Sequence, residues 1–116
     1  MIKVYLTYEN EQITDLLVKG HSNSNGKGKD LICASVSSIT YGLLNRLDLD
    51  YNGDCDLIDD PNFTEVKVIN NNHDIQVIMK TIVIQLKTIE ESYPDNLKIM
   101  EVWNHEVYLR YPKVCV

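Results

Sequence analysis

The sequence predicts an α+β domain, a two-layer sandwich in which a mostly antiparallel sheet of about four to five strands carries two helices on one face. Three observations predict it. Apolar residues alternate with polar ones in several short runs, the first being Ile2, Val4, Leu6 and Tyr8. In two longer stretches they recur every three to four positions. The segments follow one another as β-β-α-β-β-α-β.

The first run is a half-buried strand, Glu9-Asn10-Glu11 is a short turn, and Gln12 to Lys19 returns as the second arm of a hairpin. Gly20 to Lys29 contains no aliphatic side chain and reads as an exposed loop. Asp30 is a good helix N-cap. After it Ile32, Val36, Ile39, Leu43 and Leu47 line one helix face. Gly42 lies inside that helix at a cost of about 1 kcal/mol against Ala, which points to close packing there. Asp48 to Asp60 is acidic and irregular, with a short strand at Cys55-Asp56-Leu57-Ile58 and a turn at Asp60-Pro61-Asn62. Phe63 to Ile69 is the next strand. Asn70-Asn71-Asn72 stops it and offers N-caps. Ile75, Ile78, Met79, Ile82, Leu86 and Ile89 make a second amphipathic helix, ending near Ser92-Tyr93-Pro94. Leu97 to Val102 is a strand, and the tail from Trp103 to Val116 holds one more edge-strand pattern.

The chain has 116 residues, 44% of them hydrophobic, which suits one domain with its own core. Seventeen acidic residues against eleven Lys and Arg give a formal charge of −6, which argues against nucleic-acid binding through phosphate neutralisation and suits a basic partner. No apolar run approaches the ~20 residues of a membrane span. The first residues alternate like a strand and lack a signal-peptide pattern, so a cytoplasmic protein is expected. Cys33, Cys55 and Cys115, odd in number and irregular in spacing, do not read as a disulfide framework. One of them is then open to work as a thiol.

Cys33 is the most informative residue. With Asp30 as the cap it stands among the first three helical positions, where unpaired N–H groups and the helix dipole stabilise a thiolate and could hold an oxyanion. The Asp30 charge opposes this. The plain alternative is a small buried helical cysteine. His21 lies across the polar loop from it, either as the base a catalytic thiol needs or as an exposed loop histidine. Gly20 before it permits a bend or a close backbone approach. Ser37 is one turn beyond Cys33 on the same face. Ser22, Asn23, Gly26 and Gly28 belong to a flexible loop that could move to admit a substrate; Gly26-Lys27-Gly28-Lys29 lacks the spacing of a phosphate loop. Asp48 to Asp59 fits the ligand spacing of a calcium loop with Gly53 at its sixth position. It ends in Asp rather than Glu, and a β-type run follows where an exit helix belongs, so a solvated acidic turn is the better reading. His73 and His105 have no partner at zinc spacing. No metal and no cofactor is expected.

Gly20-His21, a polar loop, then Asp30-Leu31-Ile32-Cys33-Ala34-Ser35-Val36-Ser37 resembles the Prp family, the bacterial ribosomal-processing cysteine proteases, whose pattern is roughly G-H, loop, D-x-x-C-A-x-V-S. Leu86 to Pro94 is similar to that family's closing helix and its aromatic-Pro step. The resemblance covers residues 1–102, taken as one domain, and leaves the tail 103–116 unassigned. It implies a cysteine endopeptidase, usually a homodimer, that removes the N-terminal extension of large-subunit ribosomal protein twenty-seven. It implies Cys33 as nucleophile, His21 as general base, and Gly20, Asp30 and Ser37 as supporting residues. Asp30 would orient His21, cap the helix, or both. The alternatives are a non-catalytic ribosome-assembly or binding protein of the same fold, and a thiol redox sensor at Cys33.

Overall fold

Strands β1 (Ile2–Glu9) and β2 (Gln12–Lys19) form the expected antiparallel hairpin, with Leu6 opposite Leu16 and Tyr5 opposite Leu17. The computed structural model describes residues 1–20 and 27–103, with 27–30 as backbone. The hairpin turns through Asn10 and Glu11, both at positive φ (51° and 64°), the geometry that matches the twist of two-residue hairpins. Near the turn the register slips: Thr7 faces Asp15, but Tyr8 faces Ile13. Thr14 is therefore the extra residue of a bulge, and its Oγ1 donates to the Thr7 carbonyl at 3.3 Å. The slip puts Ile13 on the same buried face as Leu16 and Val18.

Beyond the hairpin come α1 (Lys27–Tyr51), β3 (Cys55–Asp60), β4 (Phe63–Val68), α2 (His73–Ser92) and β5 (Leu97–Trp103). The sheet order is β3-β4-β2-β1-β5, antiparallel throughout except where β5 runs parallel to β1. Each helix is thus a crossover between strands that point the same way. The core joins Val4, Leu6, Ile13, Val18 and Leu97 of the sheet to Val36 and Leu47 of α1 and to Ile75, Met79 and Leu86 of α2. Each such side chain stabilises the fold by about 1.5–3 kcal/mol relative to exposure.

Several expected boundaries move. The helix α1 starts at Lys27 rather than after Asp30, because extending a formed helix through good formers such as Lys outweighs one glycine. It also runs past Asp48 to Tyr51. There Arg46 pairs with Asp50 at 2.6 Å, and the Tyr51 hydroxyl donates to Asp74 at 3.1 Å. The strand β5 includes Trp103, whose ring stacks on Tyr8 with centroids 4.7 Å apart. The tail pattern at 104–116 lies outside the described residues. Asn72 is the cap chosen from the three asparagines, its side chain accepting from the Ile75 N–H at 2.9 Å. Gly42 does not mark close packing, since a Cβ added there meets nothing within 4 Å. Gly42→Ala is accordingly expected to stabilise the protein by about 1 kcal/mol, read as a higher urea midpoint at unchanged m.

The sheet face away from the helices carries a charged row in which Asp56, Lys67 and Asp15 stand side by side. Burial and the neighbouring Glu65 carboxylate push Asp15 up to about 7, while Lys67 pulls it the other way. Its Oδ1 is buried without a donor, which a proton shared with Glu65 repairs. The folded state then holds a proton that the unfolded state has lost. This contribution to stability is complete below the unfolded carboxylate range and disappears as pH rises through about 7. Asp15→Asn supplies a permanent donor. It is expected to raise the melting temperature at pH 8 and to leave it nearly unchanged at pH 4, in parallel thermal melts.

Candidate active site

Cys33 is the seventh residue of α1. It is a free thiol, half-buried, with its inner side against the core. Ser37 follows one turn later, also half-buried, and Tyr41 a turn after that, exposed. Residues four apart lie above one another on a helix, so the three form a stripe along one side of α1.

The β3–β4 hairpin stands beside the far end of this stripe. Tyr41 Oη donates to Asp59 Oδ1 at 3.1 Å, and Thr64 Oγ1 donates to the same oxygen at 3.2 Å. That bond and the Asp59 charge hold the Tyr41 hydroxyl above its usual range. Asp60 accepts from the Asn62 N–H at 2.9 Å, which sets the hairpin turn. Between helix and hairpin lies a pocket of about 320 Å³ lined by Ser37, Tyr41, Asp59, Asp60, Pro61 and Thr64.

Gly20 ends β2 at φ +88°, and a Cβ there would sit 2.4 Å from the Met1 carbonyl oxygen. Only glycine fits both the backbone angle and the approach. The bend and close contact expected at Gly20 are both present, and they set the direction in which the chain leaves the sheet toward residue 21. His21, Ser22, Asn23 and Gly26 lie outside the described residues, and so do the side chain of Asp30 and any orientation of His21 by it. Gly28, expected in the flexible loop, lies by its backbone in the first turn of α1 instead, because the helix extends back to Lys27.

The earlier helix start corrects two expectations. Asp30 is the fourth residue of α1, not its N-cap. Cys33 is not among the first three helical positions. The unpaired N–H groups belong to residues 27–30, and Cys33 lies about 9 Å along the axis from Lys27. The helix dipole acts mainly within the first turn, so it gives Cys33 little help. Cys55 is a different thiol: burial, with the charge of Asp54, pushes it up and makes it inert. Cys115 lies outside the described residues.

The acidic segment does not have the calcium-loop conformation. Asp48 and Asp50 belong to α1, whereas Cys55 to Asp59 is a strand. Asp48 accepts from Asn52 at 2.7 Å, and Asp59 is held by Tyr41 and Thr64. Among the described residues no three His, Cys, Asp or Glu side chains group as metal ligands. No helix of the described residues is long and apolar enough to cross a membrane.

Sequence reading did not single out Tyr41, Asp59, Asp60 and Thr64 as neighbours of Cys33. Tyr41 had a legible signal, since it continues the i, i+4 row from Cys33 through Ser37. The hairpin residues had none, because their proximity depends on the crossover that lays α1 against β3.

The chain is similar to known proteins over most of its length. The family model described as cysteine protease Prp matches residues 1–98. The ribosomal processing cysteine protease Prp of Staphylococcus aureus (strain Mu50) is 31% identical over 108 residues, covering 85% of this chain and 97% of the relative. A crystal structure of the S. aureus Prp in complex with a substrate peptide matches with TM-score 0.77 and 28% identity, over 87% of this chain and 99% of that one. A second, with a covalently linked product peptide, matches with TM-score 0.74 and 29% identity, over 90% and 100% of the two chains. The match spans both helices, the whole of β1 to β4, and the segment from Gly20 to Ser37 that holds the candidate nucleophile. By sequence and by fold the chain belongs to the cysteine protease Prp family.

Proposed function

We propose that this protein is a cytoplasmic endopeptidase, acting as a homodimer, that removes the N-terminal extension of the precursor of large-subunit ribosomal protein twenty-seven. The observation that carries this reading is the family match over the stretch containing Gly20-His21 and Asp30 to Ser37. Cys33 is free and half-buried, with an open pocket one turn away, as a nucleophile that must meet a polypeptide requires. The S. aureus relative, crystallised with a covalently linked product peptide, supports covalent chemistry in this fold.

In this mechanism His21 takes the Cys33 proton, and the thiolate attacks the scissile carbonyl carbon. The tetrahedral intermediate collapses as His21 returns the proton to the leaving amine, which departs as the new N-terminus. Water, deprotonated by His21, then hydrolyses the thioester and restores the thiol. Gly20 fixes where His21 begins, while Asp30 and Ser37 support the pair. The segment 22–26, ahead of α1, admits the extended substrate. The acidic chain suits a basic ribosomal substrate by long-range attraction.

The test is incubation of the purified protein with the precursor, followed by mass spectrometry of the product N-terminus. One cut that removes the extension is expected. A precursor left intact by folded protein refutes the reading.

A further inference from the structure

We propose that the pocket between α1 and the β3–β4 hairpin binds a lysine or arginine side chain of the substrate polypeptide, two to four residues from the bond that Cys33 attacks. The placement relative to that bond rests on the protease reading; the chemistry of the pocket does not.

The argument begins with which atoms have protons to give. A hydroxyl has one donor and two acceptor lone pairs. Tyr41 and Thr64 both direct their proton to Asp59 Oδ1, so what each has left is acceptor capacity. Asp59 and Asp60 add carboxylate oxygens, which only accept when ionised. Ser37 can turn its proton either way, and among the described residues no lysine, arginine or histidine lines the cavity. The pocket therefore combines two negative charges with a surplus of acceptors. A neutral amide or a carboxylate would bring more acceptors to a site that lacks donors. A lysine ammonium brings three donors and an arginine five, with no acceptor and the complementary charge. The Pro61 ring and the Tyr41 ring give the aliphatic stem of either residue an apolar surface.

Geometry sets the distance. Ser37 and Tyr41 lie about 6 Å and 12 Å along α1 from Cys33 at 1.5 Å per residue. An extended peptide advances about 3.3 Å per residue. A chain held at Cys33 and running along the stripe thus reaches the pocket within about two to four residues. Asp59 is fixed by two hydrogen bonds and Asp60 by the turn, so the carboxylates are preorganised before substrate arrives.

The test uses peptides that span the precursor's extension and the residues following it, each position replaced in turn by lysine and by norleucine. Cleavage (kcat/KM) is measured with the wild type and with the Asp59→Asn/Asp60→Asn double variant. Binding of the same peptides to Cys33→Ala, with and without the two Asn substitutions, is read by fluorescence anisotropy. One position two to four residues from the cut should favour lysine on the order of tenfold, the size of a charge-assisted hydrogen bond. The double variant should lose that preference. Asn keeps the acceptor oxygen for Tyr41, Thr64 and the turn; if the double variant nevertheless unfolds, Asp60→Asn alone should lose part of the preference. Equal values for lysine and norleucine at every position would overturn the proposal. So would a preference that survives the Asn substitutions. If no peptide is cut but lysine still strengthens binding through Asp59 and Asp60, the pocket stands and the protease reading falls. If peptides are cut without any such preference, the reverse holds.

Discussion

Cys33→Ala is expected to abolish processing of the precursor, lowering kcat/KM by about 10⁴-fold or more, as loss of a covalent nucleophile does. The protein should remain folded, because Cys33 is only half-buried and alanine is a good helix former. His21→Ala should cost on the order of 10²–10⁴-fold, the usual share of a general base. Single-turnover cleavage of the precursor measures both. Alkylation with iodoacetamide separates the roles. In the wild type Cys33 should react near neutral pH while buried Cys55 does not, and His21→Ala should slow the Cys33 reaction. Such an effect cannot come from the helix dipole, because Cys33 stands in the second turn of α1. It would identify the histidine as the group that activates the thiol. If Cys33→Ala still cuts at the wild-type rate, the nucleophile assignment fails; if only His21→Ala retains the rate, the dyad assignment fails.

The elements of this fold were legible where a local rule decides them. The period-two runs placed β1, β2 and β4, and the three-to-four spacing placed both helices, because burial on one face is written in each segment's own residues. The helix starts four residues earlier than a cap at Asp30 predicts, since Asp30 is a good cap in isolation while Lys27-Gly28-Lys29 carries no apolar periodicity. Capping preference is local, and the last turn of a helix is cheap to add once the rest has formed. Cys33, Gly20 and Ser37 were visible as a motif, and the reason for Gly20 is now specific: the Met1 carbonyl occupies the space of its Cβ. The acidic run Asp48 to Asp59, irregular by its composition, is instead the end of α1 and most of β3, because acidic composition does not decide between loop, helix and strand. The pocket beside Ser37 was illegible because half its wall comes from a hairpin about twenty residues further on, brought there by tertiary packing.

Gln76 shows the same limit, and its replacement should have the largest effect on stability. A glutamine on the buried stripe of an amphipathic helix looks like a flaw in the pattern. In the fold it is 4% exposed, and its amide reads the backbone of Ile13 from both sides. The Ile13 N–H donates to Gln76 Oε1 at 2.8 Å, and Gln76 Nε2 donates to the Ile13 carbonyl at 2.8 Å. Pairing of β4 with β2 stops at Asp15, so the side chain supplies the bonds that a longer β4 would have made. A further bond from Nε2 to Asn71 Oδ1, also 2.8 Å, locks the amide in place. Gln76→Leu keeps much of the volume but strands a buried donor and a buried acceptor. It should cost about 2–4 kcal/mol and lower the melting temperature on the order of 10–20 °C. Gln76→Glu is the sharper test. A carboxylate accepts from the Ile13 N–H but meets the Ile13 carbonyl lone pair to lone pair, whereas a protonated carboxyl can donate to it. The folded state should hold that proton above the usual glutamate range. The variant's stability should therefore be greatest in acid and fall as pH rises toward neutrality more steeply than that of Gln76→Leu, which keeps only the slope contributed by Asp15. Equal pH profiles for the two variants, in urea titrations from pH 4 to 8, would mean that the polar clamp contributes through packing and not through its hydrogen bonds.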